Sequence, residues 1–234
     1  MLAVETERVD PDGDAHSYDD TIRDATTLTI RRTLPALAHW AWTLWLNADG
    51  SLLVATADRD NDVELWDTRT GQRRWKIDIG YPAGKAIALS PNGRTLLIGT
   101  FNGAVVLLDV TTGRVLARHT LRLSAQIWSA DFAPDGVVVA LGGNDGHVHL
   151  LTGDSLREIG HLPIGAGATW ALAAYSADGW VLSAVDERGR IVRWDTRPQS
   201  WIRRACAVVG RDLTPTEWET YLPGVPHQRT CTAG

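Results

Sequence analysis

The chain has no apolar run long enough to cross a bilayer as a helix, so no membrane span is expected. Its start, Met1-Leu2-Ala3-Val4-Glu5-Thr6-Glu7, has no basic cluster and no long apolar stretch, so no secretion leader is expected and a cytoplasmic site is. Basic residues are in deficit: 23 Lys and Arg stand against 28 Asp and Glu. That balance argues against a nucleic-acid footprint. There are only two cysteines, Cys206 and Cys231, both near the C-terminus. In a cytosolic protein a disulfide is not expected of them. Two packed thiols are preferred to a redox or metal pair with His227. No Gly-x-Ser-x-Gly elbow and no His-Glu-x-x-His motif occurs.

Three stretches come near a binding motif and fall short. Gly80-Tyr81-Pro82-Ala83-Gly84-Lys85-Ala86 has three residues between its glycines and Ala after Lys, where a phosphate loop has four and Ser or Thr. Asp58-Arg59-Asp60-Asn61-Asp62 alternates acids but lacks the Gly and the closing Glu of a calcium loop, because Val63 and Arg69 stand there. His147 and His149 lie two apart on a predicted strand and so share a face. With Asp145 they suggest a metal, but a polar strand face is the preferred reading. No cofactor, metal or catalytic residue is expected.

What the chain has is a turn that returns. Asn47-Ala48-Asp49-Gly50, Ser90-Pro91-Asn92-Gly93, Ala133-Pro134-Asp135-Gly136 and Ser176-Ala177-Asp178-Gly179 place their glycines 43 residues apart each time. Asp or Asn followed by Gly between apolar runs is hairpin chemistry. After each turn comes an apolar run, such as Leu52-Leu53-Val54-Ala55 or Val137-Val138-Val139-Ala140, that reads as a strand buried on both faces. A third strand follows, ending in Trp66-Asp67, Leu108-Asp109, Leu151-Thr152 or Trp194-Asp195. A fourth, more polar strand follows in the first three copies, over 72–79, 114–121 and 156–162. Periods of this length signal a repeat architecture.

On these residues the chain resembles the WD-repeat β-propeller family over residues 28–197. The Trp-Asp pair is kept twice, and the Gly-His dipeptide usual near the start of such repeats is absent. The resemblance implies an all-β fold: a small four-bladed, or partial, propeller of four-stranded antiparallel sheets. The repeats fall at 36–80, 81–122, 123–164 and 165–197. Residues 26–34, β-branched and ending at Pro35, read as a strand that closes the ring against the fourth copy. An open arc pairing with a second copy is the alternative. Residues 1–25 form an acidic linker with short helices or partial disorder. Its Leu2-Ala3-Val4-Glu5 resembles the end of the linker before WD repeats in bacterial STAND-type ATPases.

The tail, 198–234, reads as two helices. Trp201, Ile202, Ala205, Cys206 and Val209 fall on one face, and Gly210 stops the helix. Thr214-Pro215-Thr216-Glu217 starts the second, with Thr as N-cap and Glu closing a capping box. Trp201 and Trp218 are expected to pack against the sheets as a cap. Ala205-Cys206, Gly210 to Thr214, Glu217-Trp218, Tyr221 and Thr230-Cys231 resemble the tail of WD-repeat sensor regions in bacterial multidomain signalling proteins.

These resemblances imply a non-enzymatic scaffold or sensor that binds a protein, with an ATPase, kinase or protease effector as candidate partner. Neither nucleic acid nor membrane is implied. In the family's geometry, loops before the first strand and between the second and third share one end. Here they carry Trp40, Tyr81, Gln126 and Trp170, and Arg59, Phe101, Asn144 and Arg188. Of these, Trp40, Arg59, Tyr81, Phe101 and Arg188 are the candidate partner-binding residues. Packing of Trp40 and Trp170 between blades is the competing reading. A propeller hydrolase or lyase with a metal in its channel is the alternative function.

Overall fold

A computed structural model of the chain describes residues 1–9, 16–34, 41–57, 61–121, 126–229 and 231. Five antiparallel sheets follow one another along them. The first holds β1 (Leu2–Val9), β2 (His16–Arg23) and β3 (Ile30–Thr33). The second holds β4 (Ala41–Leu46), β5 (Leu52–Ala57), β6 (Asp62–Asp67) and β7 (Gln72–Asp78). The third holds β8 (Ala83–Leu89), β9 (Thr95–Thr100), β10 (Ala104–Asp109) and β11 (Val115–Thr120). The fourth holds β12 (Ile127–Phe132), β13 (Val138–Gly143), β14 (His147–Thr152) and β15 (Glu158–Pro163). The fifth holds β16 (Leu172–Tyr175), β17 (Val181–Val185) and β18 (Ile191–Asp195), after which come α1 (Pro198–Val209) and α2 (Pro215–Tyr221).

The recurring turn does the same job four times. Gly50, Gly93, Gly136 and Gly179 hold φ between +69° and +73°, which Gly adopts without a Cβ clash. The preceding side chain, Asp49, Asn92, Asp135 or Asp178, accepts the N–H of the residue after the glycine at 2.8–3.0 Å. A second turn, after the third strand, recurs as well. Asp67 accepts the N–H groups of Arg69 and Thr70, and Gly71 closes the turn onto the Asp67 carbonyl. Arg74 and the Thr70 N–H hold the Asp67 carboxyl down at about 2.

That second turn exposes a fifth repeat. Asp24 accepts from Thr26 and Thr27, and Leu28 donates to the Asp24 carbonyl at 3.0 Å. Leu28 stands at φ 58°, where Gly71 and Gly113 stand at 72°. Asp24, Asp67, Asp109, Thr152 and Asp195 are 43, 42, 43 and 43 residues apart. The pairing agrees: Thr21 opposes Thr33 as Val106 opposes Arg118 and His149 opposes His161.

Two expectations are thereby corrected. The described part of residues 1–25 forms strands, not short helices, because β-branched Thr21 and Ile22 precede a tight turn at Asp24. Residues 30–33 do not pair with the last sheet. The Asp24 turn folds them back onto β2, so the expected four sheets become five and the fifth keeps three strands.

Apolar side chains fill four seams between consecutive sheets. Ile22, Leu34, Leu53, Ala55 and Trp66 fill the first. Val54, Leu65, Ile87, Ile98 and Val106 are in the second; Leu97, Leu107, Phe132, Leu141 and Leu151 in the third; Ala140, Val148, Ala173 and Leu182 in the fourth. Successive residues of a second strand go to opposite seams: Leu53 and Ile98 face the preceding sheet, Val54 and Leu97 the following one. This explains its unbroken apolar run. The outer strands alternate half-buried and exposed residues. On the fifth sheet Leu172 and Ile191 are exposed.

Both tail helices form where the sequence places them. Gly210 caps α1 at φ 70° with its N–H on the Cys206 carbonyl, and Thr214 and Glu217 complete the capping box of α2. Of the expected packing of both tryptophans on the sheets, one contact is seen: the Trp201 indole N–H bonds the Asp195 carbonyl at the end of β18. Trp201 is 52% exposed and α1 buries no residue. Trp218 is buried, but its indole N–H bonds the Val225 carbonyl and its ring meets His227 edge-on. The cysteines are also not free thiols: Cys206 and Cys231 form a disulfide. Asp212 accepts the Cys231 N–H at 2.6 Å and draws the chain end back to α1, leaving the two Cα atoms 5.4 Å apart, within bridging range.

Candidate interaction surface

The start of each first strand and the turn after each second strand lie at the same end of a sheet, because the two strands are antiparallel. Hydrogen bonds lock these loops in pairs. Phe101 donates to the Pro82 carbonyl at 3.3 Å, and Asn144 to the Gln126 carbonyl at 3.1 Å. Glu187 accepts the N–H groups of Thr169 and Trp170 at 3.2 and 3.4 Å. Neighbouring sheets keep the same direction: Ser129 accepts from Ala173, and Asp131 from Tyr175 at 2.7 Å, so β12 and β16 run side by side in parallel. Burial pushes Asp131 up despite the Tyr175 N–H, and pushes Tyr175 up to about 12. Gly142 allows the close approach, since a Cβ there would meet the Ala171 carbonyl at 2.3 Å.

Tyr81 is half-buried against the second seam, with the Arg118 guanidinium 5.8 Å from its ring centroid. Phe101 is half-buried beside it in the chain's other loop of that pair. Arg188 is exposed at the tip of its turn and its guanidinium covers Gly167. The turn is stiff. Fully buried Asp186 accepts the N–H groups of Arg188 and Arg190 through one oxygen and the Arg190 guanidinium through the other. Burial works against that charge, and Arg190 and the backbone donors outweigh it, so the carboxyl stays below its usual range. Trp40 and Arg59 lie outside the described residues, as do residues 58–60 of the acidic turn. Residues 83–89 are a strand, so the Gly-rich stretch before them has no helix N-terminus to aim at phosphate.

Sequence reading found only part of a second cluster, in the third seam near the outer strands. It gathers His119 of β11 with Asp145, His147, His149, Glu158 and His161 of the fourth sheet. Of this set only Asp145, His147 and His149 are close in sequence. The 43-residue period, which brings β11 against the neighbouring repeat, was the signal that could have located the rest.

Comparison with known proteins agrees with the repeats. Residues 113–150 match the family model described as WD domain, G-beta repeat. Echinoderm microtubule-associated protein-like 2 of Mus musculus is 37% identical over 99 residues, 42% of this chain and 15% of that protein. Actin-interacting protein 1-2 of Arabidopsis thaliana is 32% identical over 146 residues, 61% of this chain and 23% of that protein. The human U3 small nucleolar RNA-associated protein 18 homolog is 26% identical over 161 residues, 66% of this chain and 28% of that protein. The chain thus spans between about a seventh and under a third of these relatives' lengths, and the matches support WD-repeat kinship.

Proposed function

We propose that this chain is a non-enzymatic, WD-repeat interaction module that grips a protein partner with the loop end carrying Tyr81, Phe101, Trp170 and Arg188. The observation that supports it most is the rigid presentation of those loops. Phe101 is tied to Pro82 by a backbone bond and Trp170 to the Glu187 carboxylate, on sheets whose seams are closed by buried aliphatic residues. Recognition concentrates on loops held by a rigid scaffold, and Tyr, Trp and Arg dominate binding hot spots. A role as the regulatory arm of a cytoplasmic bacterial signalling system, with an ATPase, kinase or protease as effector, rests on the tail's resemblance to such sensor regions.

The test uses a partner co-isolated from the native host and then measured as a pure component. Phe101→Ala and Arg188→Ala each weaken its binding on the order of tenfold or more, as hot-spot truncations do. Arg188→Ala keeps the melting temperature of the parent, because its side chain is exposed at the tip of the turn. Tyr81→Ala lowers both, since its ring also packs on the second seam. Unchanged affinity in Phe101→Ala and Arg188→Ala would move the binding surface elsewhere.

A further inference from the structure

Each inner sheet turns one face to the sheet before it and the other to the sheet after it. The third strands show what this means for a single position. Val63, Val105 and Val148 hold equivalent places in the register, opposite Thr56, Gly99 and Gly142. All three face the following sheet and are fully buried, in the second, third and fourth seams. Ile191 holds the same place in the fifth sheet, opposite Val185, and is 63% exposed. The first strands agree. Ala86 is buried in the third seam, and Leu172, two periods later, is exposed. The residues flanking these positions, among them Ala171, Ala173, Leu182, Ala184 and Val192, pack in the fourth seam. Alternation along the strands therefore gathers Leu172, Ala174, Val181, Val185 and Ile191 on the face turned away from the fourth sheet. The tail does not cover that face. α1 buries no residue, and the buried residue of α2, Trp218, is held by Val225 and His227.

The other end of the row of sheets offers no matching surface. Ile22 packs into the first seam, so Thr21 and Arg23 point to the outer face of the first sheet. Thr33 lies opposite Thr21, and Ile30 opposite Arg23, on that same face. Thr21 donates its hydroxyl to the Val4 carbonyl at 3.2 Å and accepts from Arg23 Nε at 3.1 Å. Laying leucine, isoleucine and valine over these groups would take water from a guanidinium and give it nothing in return. Joining copies end to end, fifth sheet on first, is disfavoured on that ground. The apolar face is matched best by another of its own kind.

We infer that the outer face of the fifth sheet is a dimer interface, on which two copies of this chain pack across a two-fold axis. A two-fold contact uses one patch on both partners and closes at two copies. Sheets packed face to face lie about 10 Å apart with their side chains interdigitated, and Leu172, Val181, Val185 and Ile191 supply such a layer. Arg193 shares the face of Ile191 but stands on the edge strand β18, where its guanidinium reaches water past the rim. The three seams that bury the equivalent valines show that this position takes a sheet rather than solvent.

The experiment is sedimentation equilibrium of the intact chain from about 1 to 100 μM. It gives a mass of twice the 25.5 kDa of one chain, with a Kd of about 10 μM or tighter. Ile191→Asp and Leu172→Asp each weaken the dimer about tenfold or more, because pairing would bury a carboxylate among apolar side chains. Both keep the circular dichroism of the parent, since each side chain is exposed in the single chain. Ile159→Asp, at an exposed position of β15, leaves the mass unchanged. A single-chain mass at the highest concentration would overturn the interface. So would a dimer indifferent to both Ile191→Asp and Leu172→Asp. A mass that climbs past two copies would overturn the two-fold arrangement, since only end-to-end joining leaves a face open for a third.

Discussion

Leu97→Ala lowers the stability of the protein by about 2–5 kcal/mol, the range for a fully buried leucine truncated in a core that cannot collapse. Leu97 has no exposed surface and lies in the third seam with Ala88, Val105, Leu107, Phe132, Val139 and Leu141. The seam is made by two sheets whose backbones are fixed by their own hydrogen bonds, so the vacated volume stays largely empty. For a chain of this size the melting midpoint falls by roughly 5–20 °C. Val137→Ala is the control. Val137 is 62% exposed, and its truncation shifts stability by less than about 0.5 kcal/mol. Thermal melts of the two variants compare them directly. Equal, small shifts would mean that the sheets are not packed on each other through this leucine.

Reduction of the Cys206–Cys231 disulfide unfolds the tail while leaving the sheets intact. The bridge closes a loop with a sequence separation of 25, and a cross-link of that span contributes about 3–4 kcal/mol. Beyond it, the tail has the Trp201 indole N–H on the Asp195 carbonyl and the exposed Arg211–Glu217 pair, but little buried apolar surface. α1 buries no residue, α2 has seven residues, and isolated helices under about 12–15 residues are marginal in water. The buried aromatic among its described residues, Trp218, is held by Val225 and His227 of the same segment. Circular dichroism after reduction, or in Cys206→Ser, shows loss of the helical signal. The main sheet transition keeps its midpoint. Retained helicity and unchanged protease resistance would show that the helices stand without the bridge.

Three of the five sheets were legible in full because their turns carry chemistry that only a few residues provide. Asp or Asn before Gly sets both the φ sign and the capping bond, and it survives as a spaced signature. The first sheet escaped notice for a physical reason. Counting the turn between the first and second strands cannot find a sheet with no such turn among the described residues, and its other turn has Leu28 where two repeats have Gly. The spacing of Asp24 to Asp67 held the information. Acidic composition misled, because Asp20 is buried inside a strand. The tail helices were legible from their caps, but which surface they cover was not, since amphipathicity says that a face is apolar and not what meets it. The loop pairing of Phe101 with Pro82 and of Glu187 with Trp170 depends on hydrogen bonds between sequence-distant residues, which the repeat length places at one end but cannot join. The seam cluster depends on side chains from two different repeats.

Amide hydrogen exchange of the free protein against its complex with the partner tests the account most directly. Slowed exchange confined to residues around 81–82, 101–103, 144–146 and 187–190, with the outer strands β7, β11 and β15 unchanged, is the predicted result. Protection along those outer strands or over the tail, with the loop end unaffected, would contradict it.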